Sequence, residues 1–185
     1  MSFIGIKVPH EVGRLLHTIE VPGEKVPLHE FHVTLLYLGK EVPIETLGKA
    51  IVAAAEVAES YRPFRCTLTQ TSSFPKGDDG VPIICPVDSP ELHELNTQLK
   101  AAFDAAGVDY SKKFPDYKPH VTLAYSDEVT ADTLFGPLEW SAYEMVLWGG
   151  DAGDERLATN FPFALPTTVA TNQQLVRLAM AMKKS

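Results

Sequence analysis

One tetrapeptide, His-Val-Thr-Leu, occurs twice, at 32–35 and again at 120–123, each time inside a run that favours extended chain. Phe31 to Leu38 is rich in aliphatic, aromatic and β-branched residues, and His120 to Tyr125 follows Pro119, which suits the start of a strand. Successive side chains of a strand point to opposite faces. Each His therefore shares a face with its Thr, while the valine and leucine anchor in a core on the other face. A single His-aliphatic-Thr-Leu arises by chance on the order of once in a few hundred chains. Two copies in matching strands predict one site assembled from two halves.

The remaining segments arrange themselves around these strands. Phe3 to Val8 reads as an opening strand ended by Pro9, and Glu11 to Ile19 as a short helix. Val21 to Glu30, with Pro22, Gly23 and Pro27, reads as a loop into the first motif strand. Ile44, Leu47, Ile51, Ala54, Ala55 and Ala58 fall at helical spacing and predict a helix over 44–59. Phe64 to Gln70 alternates as a strand, 72–80 is a loop, and 81–87 is a strand interrupted by prolines. A second helix over 89–106 opens on a serine and Pro90 and closes on Gly107. A loop carrying Lys112, Lys113, Asp116, Tyr117 and Lys118 leads to the second motif strand, and 143–148 and 157–165 read as closing strands. This order is α+β with a loose internal duplication.

The 185 residues fit one domain or one two-lobed domain, and 45% hydrophobic residues are enough for a core. No apolar run approaches the ~20 residues of a membrane span and no leader pattern opens the chain, so the expectation is a cytoplasmic protein with no membrane partner. Cys66 and Cys85 sit in expected strands and read as reduced core thiols. The net charge is −8, and the last nineteen residues carry Arg177, Lys183 and Lys184 with no acid, so the body is more acidic still. An acidic body repels polyanions, which excludes long duplex nucleic acid as a partner and leaves a small phosphate-bearing ligand.

Two His-x-Thr pairs suit phosphodiester cleavage. That reaction needs a base to deprotonate the attacking oxygen and an acid to protonate the leaving oxygen, and histidine titrates near ~6.5. Threonine hydroxyls donate to the non-bridging phosphate oxygens, where charge builds in the transition state. Neither copy has a second His, Cys or carboxylate at a ligand spacing such as His-x-x-x-His, so the expectation is no metal and no cofactor.

The paired motifs, with Tyr37-Leu38-Gly39 after the first and Tyr117-Lys118-Pro119 before the second, resemble those of the 2H phosphoesterase superfamily. Its members include LigT-like RNA 2′,5′-ligase/phosphodiesterases, eukaryotic and plant cyclic phosphodiesterases, and phage enzymes that cleave the cyclic nucleotide signals of CBASS defence. The likeness runs from Phe3 to about Leu165, including Phe74-Pro75 and the helix from Leu92 to Phe103. It implies a bilobal fold in which two antiparallel sheets form a concave cleft with helices packed outside. It also implies one domain over 1–166 and a site made of His32, Thr34, His120 and Thr122. The tail over 167–185 falls outside the likeness, and Leu175, Val176, Leu178, Ala179 and Met182 suit a short amphipathic helix over 173–184 appended to the body. LigT-like sequences carry a basic residue shortly after the second motif and a Lys at the position of Leu36. Here Ala124-Tyr125-Ser126 and Leu36 stand there, which turns the expectation from a long RNA end or a ligase role toward a small cyclic nucleotide or short oligonucleotide, with a phage enzyme acting on a defence nucleotide in view.

Lower-ranked substrate-binding candidates are Lys118, which shares the face of His120 by alternation, Tyr117 and Phe74, which are aromatic and near the motifs, and Glu144 and Trp148 on one face of a closing strand. Two functions remain open from the residues: a metal-independent phosphodiesterase, and a nucleotide-binding module using the same cleft without turnover.

Overall fold

The structure, a computed structural model, describes residues 1–113, 115–149 and 158–165. Among them, nine strands and three α-helices follow in the order β1 (Ser2–Lys7), α1 (His10–Thr18), β2 (Glu24–Lys25), β3 (His32–Gly39), α2 (Ile44–Ser60), β4 (Phe64–Ser73), β5 (Val81–Pro86), α3 (Pro90–Ala106), β6 (His120–Ser126), β7 (Thr133–Ala142), β8 (Glu144–Trp148) and β9 (Ala158–Pro162). A 3₁₀ turn, Leu28–Glu30, precedes β3. The strands form one antiparallel sheet in the order β7-β4-β5-β6-β3-β1-β8-β9, with β2 paired to β6.

The two expected sheets are the two halves of this one. They meet where β3 and β6 pair at Val33 and Val121. Each half repeats the other's plan outward from that junction: β3, β1, β8, β9 on one side and β6, β5, β4, β7 on the other. The His-x-Thr strands are thus the central pair.

Helices α2 and α3 cover one face. Ala50, Ala53, Ala54, Val57 and Ala58 form the buried stripe of α2, whose small side chains let it lie close against α3. Helix α3 presents Leu92, Leu95, Asn96, Leu99 and Phe103 inward, starts with Pro90 at its first position and ends at Gly107, whose φ of 64° is the left-handed cap that glycine adopts without strain. The main core lies between these helices and the sheet and includes Val33, Leu35, Leu36, Val121 and Leu123. Both cysteines are buried in it as free thiols, and burial pushes each up to about 12.

Three departures from the sequence reading concern the sheet. Strand β4 continues to Ser73, through the start of the expected loop, because Ser72 and Ser73 pair with Ile84 and Ile83. The short β2 lies inside the expected loop over 21–30, where Glu24 and Lys25 pair with Tyr125 and Ala124. Strand β7 has no counterpart in the sequence reading: it is an outer strand with Leu134 77% exposed, and Gly136 and Pro137 interrupt its pattern. Its pairing with β4 shifts between Leu68 and Gln70, and an edge strand with such an irregularity tolerates proline. The expected tail helix over 173–184 lies outside the described residues. Among those that are described, no helix is long and apolar enough to cross a membrane.

Candidate active site

The register at the junction determines what the site contains. Val33 lies opposite Val121 in an antiparallel pair, and both are fully buried on the helix side. Antiparallel order then sets His32 across from Thr122 and Thr34 across from His120, all four on the other face and all half-buried. Side chains directly opposite have Cβ atoms about 4.5–5.5 Å apart and diagonal neighbours about 7–8 Å. The two histidines are diagonal neighbours. Each is beside the other motif's threonine.

The two rings are held alike. His32 Nδ1 lies 2.6 Å from the Glu30 carbonyl, and His120 Nδ1 lies 2.7 Å from the Lys118 carbonyl. A carbonyl oxygen can only accept, so in each ring Nδ1 carries the proton and donates it. The Nε2 atoms are left as bases in the neutral form and as donors in the protonated form. Burial lowers His32 from the ordinary histidine value of 6.5; the Glu30 carbonyl opposes this, and the charge of His120 lowers it further. Burial also lowers His120, against the Lys118 carbonyl.

Aromatic rings flank both histidines. The Phe3 and Trp148 rings lie 4.8 Å and 5.8 Å from that of His32, and Phe3 stacks on Trp148 at 5.0 Å. The Trp148 ring lies against Gly5. A Cβ there would stand 2.5 Å from the Val33 carbonyl oxygen and 3.2 Å from the Trp148 ring, so the absent side chain makes room for the indole. On the other side the Phe74 ring meets that of His120 edgewise at 4.7 Å.

A β-bulge follows the first motif. Gly5 pairs with Thr34 and Ile4 with Leu36, leaving Leu35 as the extra residue on β3. Leu35 and Leu36 are consequently both buried in the main core, 2% and 4% exposed, and Tyr37 takes the cleft face. Side chains from the helix side engage the carbonyls here: the Tyr117 hydroxyl donates to the Thr34 carbonyl at 3.1 Å, and the Asn96 amide donates to the Leu35 carbonyl at 2.7 Å.

The lower-ranked candidates are dispersed. Phe74 touches His120. Tyr117 packs on the core side with its ring 5.5 Å from that of His93, and burial raises its hydroxyl. Lys118 acts on His120 through its backbone carbonyl, and its side chain is exposed. Trp148 is 2% exposed, beneath Phe3, and its indole N–H has no partner among the described residues. Glu144 is near the outer edge, where it accepts from Asn160 at 3.2 Å. Sequence reasoning missed Phe3, Gly5 and Lys7, which alternate along β1; Lys7 pairs with His32. It also missed Asn96. The signal for it was a polar residue within an otherwise apolar helical stripe.

Residues 15–154 match the 2′-5′ RNA ligase superfamily model. The anti-CBASS protein Acb1 of Vibrio phage KVP40 is 28% identical over 133 residues, 70% of this chain and 75% of the relative. An RNA 2′,3′-cyclic phosphodiesterase of Thermus thermophilus is 32% identical over 153 residues, 75% of each. A solved structure of a Thermus thermophilus protein superposes with a TM-score of 0.68 at 25% identity, covering 88% of this chain and 94% of its own. E. coli LigT complexed with 3′-AMP has a TM-score of 0.59 at 20% identity over the same shares, a likeness of fold. The chain belongs to the 2′-5′ RNA ligase superfamily, and it is a 2H phosphoesterase.

Proposed function

We propose that this protein cleaves a phosphodiester in a small cyclic nucleotide or a short 2′,5′- or 3′,5′-linked oligonucleotide without a metal, using His32 and His120 as acid and base. The observation that carries this reading is the cross-strand arrangement of His32 with Thr122 and Thr34 with His120 on one face. With a 2′,3′-cyclic phosphate, one Nε2 takes a proton from water as the water oxygen bonds to phosphorus. The other ring's Nε2–H gives its proton to the ribose oxygen that leaves. In a 3′,5′-linked oligonucleotide the ribose 2′-hydroxyl replaces water, in a 2′,5′-linked one the free 3′-hydroxyl does; the 5′ oxygen leaves with the acid's proton and the product carries a 2′,3′-cyclic phosphate. Thr34 and Thr122 donate to the non-bridging oxygens. Each proton transfer is worth about 10²–10⁴ in rate.

The Acb1 relative supports a phage enzyme acting on a defence nucleotide, and the acidic body agrees with a small substrate. The 32% identity to an RNA 2′,3′-cyclic phosphodiesterase favours a second reading, cleavage at an RNA end. Product analysis by mass spectrometry, with EDTA present, would test both. Its panel is 2′,3′-cyclic mononucleotides, RNA ending in a 2′,3′-cyclic phosphate, 2′,5′-linked oligoadenylate and 3′,3′-linked cyclic dinucleotides. The best substrate separates the two readings. Binding of a panel member without any product would favour a non-catalytic nucleotide-binding module.

A further inference from the structure

We propose that Tyr37 is the side chain on which a nucleobase stacks in the half of the cleft that holds His32. The proposal rests on the phosphodiesterase reading only for the class of ligand; the placement of Tyr37 comes from the bulge. By simple alternation from His32 and Thr34, position 36 faces the cleft. The extra residue at Leu35 turns Leu36 into the core and sets Tyr37 opposite Phe3 instead. Tyr37 there packs against Phe3, Val146 and Trp148, a cluster separate from the main core.

Within that cluster exposure divides the roles. Phe3 is 3% and Trp148 2% exposed, so they form the wall, whereas Tyr37 is half-buried and presents ring surface to an incoming group. Its backbone is fixed, since the Ser111 N–H donates to the Tyr37 carbonyl at 2.8 Å and the bulge before it is held by Tyr117 and Asn96. The other half of the cleft has its own half-buried aromatic, Phe74, against His120. Each half thus offers one half-buried ring: Phe74 directly against His120, and Tyr37 packed on the Phe3 ring that lies 4.8 Å from His32. Every base has a π-face, so such a ring binds any base, with stacking contributing to affinity regardless of sequence.

Tyr37→Trp built into His120→Ala gives a probe that binds without turnover, to be compared with His120→Ala alone, in which only Trp140 and Trp148 emit. Saturating 3′,3′-linked cyclic diadenylate should quench the added emission at least twofold more than it quenches the parent. In the active enzyme, Tyr37→Leu should lower kcat/KM for this dinucleotide on the order of tenfold or more, chiefly through KM, and Tyr37→Phe should restore it. Equal quenching in probe and parent, with binding confirmed by equilibrium dialysis, would overturn the assignment, as would full activity of Tyr37→Leu or a Tyr37→Phe as impaired as Tyr37→Leu. Those results leave the two-histidine reading intact. Failure of the wild type to bind or cleave either the dinucleotide or adenosine 2′,3′-cyclic phosphate would overturn both.

Discussion

Val33 and Val121 face each other across the junction of the two half-sheets, both fully buried, and their pairing sets each motif's threonine beside the other motif's histidine. On the proposed reading, the hydroxyls of Thr34 and Thr122 donate to a phosphate held between the rings. Thr34→Val and Thr122→Val keep shape and remove one donor. Each is expected to lower kcat about 10²–10³-fold, the usual cost of one lost transition-state donor, with little change in Tm because both side chains are half-exposed. Steady-state kinetics beside thermal melts check this.

Gly5 is expected to tolerate no side chain. A methyl at that position would stand 2.5 Å from a backbone oxygen of β3 and 3.2 Å from Trp148. Gly5→Ala must therefore shift β3 or the indole, at a cost of roughly 1–3 kcal/mol as for other overpacked sites. Because the shift falls beside Thr34, kcat should drop as well. Urea unfolding and a rate assay on the same variant would show both; an unchanged midpoint would contradict this packing.

Asn96 is 4% exposed, and its amide serves the Leu35 carbonyl at the bulge. Asn96→Ala leaves that buried carbonyl unpaired, a loss of about 1–3 kcal/mol. Tyr117→Phe removes only the hydroxyl bond to Thr34, and about 0.5–1.5 kcal/mol is expected for it. Chemical denaturation of the two variants orders these effects.

Both histidines titrate below the ordinary value of 6.5, mainly through burial. In the unfolded chain they take up protons near 6.5; in the folded chain they do so only at lower pH. As pH falls through 6.5 the unfolded state binds more protons, so stability declines until pH passes below the folded values. The acid limb of kcat/KM should likewise lie below 6.5. His120 lowers His32 through its charge; in His120→Ala the His32 ring should titrate higher. Proton NMR of the ring signals measures this directly.

The motif strands, both long helices and the shared face of each His with its own Thr could be read from the sequence, because period-2 and period-3.6 patterns survive wherever one face is apolar; the cross-strand register at Val33 and Val121 could not. The bulge at Leu35 could not. His-Val-Thr-Leu-Leu-Tyr alternates only as far as Leu35, and the donors that hold the break, Asn96 and the Tyr117 hydroxyl, lie far away in the chain. The same break removes Leu36 from the cleft, so the missing lysine there says nothing about charge beside the phosphate in this chain. Trp148 shares the cleft face of its strand as alternation requires, yet Phe3 stacks on it, a contact between strands remote in sequence. Strand β7 was illegible because an outer strand with glycine and proline need not alternate.

The most direct test of two-histidine chemistry is the single-turnover cleavage rate of the best panel substrate, with EDTA throughout, for wild type, His32→Ala and His120→Ala. Two histidines acting as acid and base predict full wild-type activity in EDTA and a loss of about 10²–10⁴-fold in each variant. Activity abolished by EDTA, or either variant cleaving at the wild-type rate, would contradict it.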